Sequence, residues 1–247
     1  FARALFLQSC WSFERMQSLG LAWCLDPWLK RCHAQGGSGL HEARLRHLEF
    51  FNTQPHMASL VIGMVCALEE EVAHTAPDGR SAKVARLKVL KAAASAAMAG
   101  LGDAIFWGAL RPSCAALALF LALWLKRYGW TQAALGAGAG YLAAYNLPAI
   151  ALRWRLLRWG YDWKDQIATR LKDWPSQALI KRLRLVGLVL ALAAGAFMLR
   201  FAPESRRFAG MLALAVYLGL KFAGVPTYRL YAATCVAGFC AALVGWM

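Results

Sequence analysis

Asn52-Thr53-Gln54-Pro55-His56 runs straight into Met57-Ala-Ser-Leu-Val-Ile-Gly-Met-Val-Cys-Ala-Leu68, and Glu69-Glu70-Glu71 closes the run. Four hydrogen-bonding side chains thus precede twelve residues without a charge. Pro55 lacks a backbone N–H and disfavours helical geometry at Gln54, so the chain is expected to break there. A helix of twelve residues rises about 18 Å, short of a hydrocarbon core of about 30 Å. A short apolar arm beside a polar break predicts a discontinuous or re-entrant segment. Such geometry is tolerated only where protein or a watery cavity meets the opened backbone. The expected fold class is all-α: a polytopic membrane protein with discontinuous or re-entrant helical hairpins and an amphipathic N-terminal helix.

Composition agrees. The chain has 247 residues, 60% hydrophobic and only 17% charged, against about 25% charged in a typical soluble domain. Aromatic residues make up 12%, which excludes a disordered chain, and the net charge is +15. Nucleic-acid binding would explain that charge but not the apolar runs, so no nucleic-acid partner is expected. The seven cysteines are odd in number and form no Cys-x-x-Cys pair, which argues against a disulfide framework. Cys32, His33, His41 and His47 match no standard zinc spacing. Neither a metal nor a cofactor is expected.

Three segments are expected along the chain. Residues 1–40 read as an amphipathic helical arm and linker. Ala2, Leu5, Phe6, Phe13, Met16 and Trp23 keep a helical spacing, Pro27 ends the helix, and Gln35-Gly-Gly-Ser-Gly39 is a flexible connector. The opening stretch has no signal-peptide layout, because Glu14 and Arg15 interrupt it. Residues 41–128 read as a membrane core. A second helix begins near Leu40, and a basic amphipathic stretch covers Ser81 to Met98 with Lys83, Arg86 and Lys91 away from its apolar face. Gly100-Leu-Gly-Asp-Ala-Ile-Phe-Trp-Gly-Ala-Leu-Arg-Pro112 repeats the pattern of polar residues and breakers between short apolar pieces. Residues 129–247 read as transmembrane helices. Gly129 to Leu152 is uncharged over 24 residues, with Gly136 and Gly140 as a small-residue packing face. Leu230 to Met247 is a further uncharged run. Between them, residues 153–184 hold nine Lys or Arg against three Asp, which makes that stretch cytoplasmic.

Two motifs carry functional promise. In Asn52 to His56, buried polar groups cost several kcal/mol unless paired, and amides that donate and accept together suit a polyhydroxylated sugar. The alternative is that Asn52 and Thr53 cap the following helix. Asp103 and Arg111 lie two turns apart near one helical face, and ionisable groups at membrane depth are functional candidates. The alternatives are that Asp103 caps a helix after Gly102 and that Arg111 snorkels. Glu69, Glu70 and Glu71 end a helix, where carboxylates oppose the dipole and call for partners, although a solvated terminus is expected to account for at least one of them. No nucleophile elbow, phosphate loop or zinc-protease motif is present.

The chain resembles the IID component of the mannose/fructose/sorbose-type sugar phosphotransferase system. Arg46-His-Leu-Glu-Phe-Phe-Asn-Thr53 with Pro55, Ile62-Gly63, Ala67-Leu-Glu-Glu70, Gly100 to Pro112 and Trp11-Ser-Phe-Glu-Arg-Met-Gln-Ser-Leu-Gly20 carry the likeness. It is dense to Pro112 and loose after Leu125. The resemblance implies a permease subunit, not an enzyme on its own, in the bacterial inner (cytoplasmic) membrane. Its implied partners are an obligate IIC membrane subunit, cytoplasmic IIA and IIB phosphocarrier units, a hexose and membrane lipid. Trimers of IIC–IID heterodimers and elevator-like motion are implied as well. The substrate-binding set put forward is Asn52, Thr53, Gln54, His56, Glu69 and Asp103. The family usually has His at Gln54 and Tyr at His56, so this sequence departs at the break itself. A non-transporting membrane scaffold or regulatory subunit derived from the family is the competing function.

Overall fold

A computed structural model describes residues 1–34, 37–226, 229 and 232–236. Most of the uncharged run from Leu230, and part of the connector at Gln35–Gly36, therefore lie outside the described residues. The helices are α1 (Ser18–Cys32), α2 (Gly37–His47), α3 (Ala58–Ala73), α4 (Pro77–Gly102), α5 (Arg111–Arg127), α6 (Ala133–Trp163), α7 (Ile167–Asp173), α8 (Ser176–Phe201) and α9 (Glu204–Phe222). Two compact bodies are formed, residues 1–191 and residues 192–247. The second contains the end of α8 and all of α9, with the Phe197 and Phe201 rings 4.7 Å apart.

The first body is organised around α3. A helix that is apolar on every side must be buried on every side, and α3 buries residues from Ala58 through Met64 and on to Val72. It packs on α1, α4 and α6. Contact with α6 is close because each helix sets a glycine against the other's backbone. A Cβ on Gly63 would stand 2.0 Å from the Leu157 carbonyl oxygen, and one on Gly160 would stand 2.0 Å from that of Leu60. Gly136 and Gly140 instead receive Leu125 and Leu121 of α5. So the short apolar arm is a core helix, and longer helices surround it.

Three stretches have the length and composition to cross a bilayer: Pro77–Arg127, Ala133–Asp173 and Ser176–Phe201. Their outer faces are apolar, with Leu142, Leu147, Val186 and Leu188 all more than half exposed. Patches of that size are untenable in water.

Four expectations need correction. The predicted break at Gly100 to Pro112 does not occur. The chain winds continuously from α4 into α5 through a π-helical stretch, Asp103–Leu110, where the Arg111 N–H reaches back to the Phe106 carbonyl. Asp103 is helical and caps nothing. Residues 2–23 are not one helix. A 3₁₀ turn, Ala2–Phe6, leads to irregular chain in which Met16 takes φ 54°, a left-handed conformation that ends helical winding. Pro27 sits inside α1 and does not end it. Proline leaves the carbonyl four residues earlier without its helical donor, and Arg3 Nη1 supplies one to Trp23 O at 2.9 Å. Lys91, expected on the polar face, is buried and its ammonium donates to the Arg46 carbonyl at 2.8 Å.

Candidate functional site

The break at residues 51–56 is held on both sides. The Gln17 N–H donates to the Phe51 carbonyl at 2.8 Å, and the Gln17 amide clasps the main chain of Thr53 through two bonds, 2.8 and 3.2 Å. Thr53 Oγ1 donates to the Ser95 carbonyl on α4 at 2.9 Å. Gln54 Oε1 accepts the N–H groups of His56 and Met57, closing the turn into α3. Gly102 makes room for it, since a Cβ there would lie 2.5 Å from Gln54 Cβ. No side chain caps α3 itself: Gln54 closes the turn ahead of it, and neither Asn52 nor Thr53 bonds to its first amides. Asn52 alone of the trio is exposed. Replacing Gln54 with Ala removes both turn bonds and should cost about 1 kcal/mol of stability, readable as a lower melting temperature of the extracted protein.

His56 lies where α6 meets the π-helical stretch. Arg153 Nε donates to its Nδ1 at 3.0 Å, so the proton sits on Nε2, which donates to Tyr145 Oη at 3.1 Å. The ring stacks on Phe106 with centroids 4.4 Å apart. Arg153 Nη1 reaches the Ala4 carbonyl at 3.5 Å. Arg153 was expected to open the cytoplasmic basic segment; it is buried and tied to His56 instead.

Asp103, Trp107 and Arg111 are all exposed, four residues apart. The Arg111 guanidinium stands 4.6 Å over the Trp107 ring. The Asp103 carboxylate makes no hydrogen bond or ion pair among the described residues, so Asp103 and Arg111 share a face without pairing.

All three glutamates closing α3 have partners. Glu71 accepts from Lys164 at 2.6 Å and Glu70 from the Tyr161 hydroxyl at 2.5 Å. Glu69 is fully buried. His47 Nε2 donates to it at 2.9 Å, with Arg46 Nη1 at 3.5 Å and His33 Nε2 at 3.8 Å. Burial pushes the His47 imidazole below its usual range, so it stays neutral beside the carboxylate. His33 and His47 do converge, yet no group of three His, Cys, Asp or Glu among the described residues is arranged to hold a metal ion.

Residues 1–202 match the family described as the mannose/fructose/sorbose family IID component of the phosphotransferase system. The chain belongs to this family. The Escherichia coli mannose-specific EIID component is 34% identical over 162 residues, 66% of this chain and 53% of that protein. The Bacillus subtilis fructose permease IID component is 38% identical over 124 residues, covering 50% and 43%. The Lacticaseibacillus casei sorbose-specific EIID component is 31% identical over 194 residues, covering 75% and 63%. The chain spans about half the length of the mannose-specific relative it matches. Among solved structures, one described as a membrane protein superposes with TM-score 0.70 at 24% identity. The mannose transporter ManYZ in complex with a microcin gives 0.55 at 23%. Both cover 99% of this chain and 94% of theirs, and both share its fold.

Within this IID chain the six expected residues are not one cluster. Thr53, Gln54 and Glu69 are buried and engaged with their own chain, whereas Asn52 and Asp103 face outward. The relay Arg153–His56–Tyr145 was missed. Its signal was Arg153, the first charge after the 25 uncharged residues that follow Arg127.

Proposed function

We propose that this chain is the non-catalytic IID half of a sugar permease in the bacterial inner membrane. It pairs with a IIC subunit, as a trimer of heterodimers, and moves a hexose that IIA and IIB units phosphorylate. The observation that carries this reading is Asp103. It stands exposed midway along a 51-residue stretch of membrane-crossing length, with no partner among the described residues. A bare carboxylate facing hydrocarbon is costly, so a second membrane subunit or a hydroxyl-bearing ligand must cover it. Trp107 and Arg111 beside it add a flat apolar face and a hydrogen-bond donor, the chemistry a sugar ring and its hydroxyls accept. The sugar class follows the names of the relatives, and Gln54 and His56 bear on which sugar is chosen.

With Asn52 exposed at the edge of this region, Asn52→Ala should lower sugar uptake about 5- to 150-fold, the equivalent of 1–3 kcal/mol for one lost hydrogen bond. Assembly with the IIC subunit should be unchanged. Wild-type uptake in the variant removes Asn52 from the sugar path. A wild-type complex that assembles but moves no sugar favours the scaffold reading. No phosphoryl group should reside on this chain, because His47 is buried and both ring nitrogens of His56 are engaged. Labelled phosphoenolpyruvate should mark only the soluble carriers and the sugar.

A further inference from the structure

A cavity of about 830 Å³ opens between the N-terminal segment, α1, α3 and α6, away from Asp103 and His56. Cys24, Pro27, Ile62, Cys66 and Leu157 make its floor apolar. Burial keeps the Cys24 and Cys66 thiols protonated, pushing them up to about 11 and about 12, so the floor carries no charge. The wall differs sharply. Arg3, Arg31 and Arg158 all reach it, against the single carboxylate of Asp162. None of the three arginines makes an ion pair among the described residues.

Each guanidinium also rides on a tryptophan. Arg3 lies 4.8 Å over Trp23, Arg31 5.8 Å over Trp28 and Arg158 5.1 Å over Trp154. Trp23 and Trp154 are close to half exposed. Tryptophan and arginine together mark the headgroup level of a bilayer, where one end of a side chain is wet and the other apolar. Three cations without a counter-ion among the described residues, of which Arg3 also serves the Trp23 carbonyl, line a cavity with an uncharged apolar floor and complement a molecule with an anionic head and a hydrocarbon tail. Basic pockets between membrane helices select anionic headgroups by this chemistry.

We propose that this cavity binds one anionic phospholipid, its phosphate held by Arg3, Arg31 and Arg158 and the start of one acyl chain laid over Ile62 and Cys66. A volume of this size takes a drug-sized molecule, and the remainder of the tail leaves through the open mouth. A free phosphate or a sugar phosphate shares the anionic chemistry but has nothing to place on the floor.

Native mass spectrometry of the full chain, extracted in mild detergent with any membrane subunit that accompanies it, tests this. Phosphatidylglycerol titrated into the wild type should add as a single saturable adduct, and phosphatidylcholine should not. Arg31→Gln combined with Arg158→Gln should weaken that adduct at least tenfold while elution on size exclusion stays unchanged. Ile62→Trp, which fills the floor, should weaken it as well. Equal adducts with both lipids, or an adduct that survives the arginine variant, would overturn the proposal. Inorganic phosphate or a hexose phosphate displacing the lipid with no tail dependence would reassign the site to a soluble anion.

Discussion

Glu69→Ala should all but abolish the folded protein. The carboxylate has no exposed surface and holds together three elements, through His33 at the end of α1, Arg46 and His47 on α2, and its own place on α3. Removing it leaves the Arg46 guanidinium, itself 7% exposed, without its counter-charge. Stranding one partner of a buried pair typically costs about 3–5 kcal/mol, a large share of a total stability of about 5–15 kcal/mol. Glu69→Gln keeps the shape and one acceptor for His47 and should cost less, about 1–3 kcal/mol. Recovery of monodisperse protein after heating should rank wild type, Gln, Ala. An Ala variant as robust as the wild type would mean that this cluster holds nothing. The same cluster sets a pH dependence. Below about 6.5 the unfolded chain takes up a proton on His47 that the buried ring resists. Stability is therefore full above that value and declines as the pH falls beneath it.

Gly160→Ala should be nearly as damaging. Its Cβ would stand 2.0 Å from the Leu60 carbonyl oxygen, where ordinary contact begins near 3.4 Å, and both atoms belong to rigid helical backbone. No rotamer relieves such a clash, so α3 and α6 must part by more than an ångström along the centre of the core. Overpacking costs about 1–3 kcal/mol and occasionally more, and this case belongs at the upper end. Gly63→Ala meets the Leu157 carbonyl at the same distance. Because one separation of the helices relieves both clashes, the double variant should cost less than the sum of the singles. Gly138→Ala on the same helix meets nothing within 4 Å and should be neutral or stabilising, by up to about 1 kcal/mol. Folded yield and melting temperature across the four variants decide the matter. Strict additivity of the pair would show that the two glycines do not share a contact.

The helical class and the break before α3 were legible because Pro55 and the uncharged run act locally. That glutamates closing α3 call for partners was equally plain, since helix polarity is a property of the element itself, but a solvated end was expected for at least one of them and all three are engaged. What stayed hidden depended on residues distant in sequence. Pro27 looks like a stop until Arg3 answers the carbonyl it leaves bare. Lys91 looks solvated until the end of α2 arrives above it. Arg153 belongs by composition to a basic loop and by contact to His56. In each case the sequence shows a donor or acceptor and leaves its partner open, because a partner 20 to 150 residues away is set by tertiary packing.

The π-helical stretch has one geometric effect on everything after it. An α-helix advances 3.6 residues per turn, so positions four apart wander around the cylinder by about 40° at each step. From Gly102 onward the buried positions are 102, 105, 106, 109, 110, 113 and 114, two adjacent rows that each keep a spacing of four. The looser winding cancels the wander. Asp103, Trp107, Arg111 and Ala115, all outward, consequently form a straight rail parallel to the axis, not a spiral. A surface that slides along that rail meets carboxylate, indole and guanidinium in turn without having to rotate.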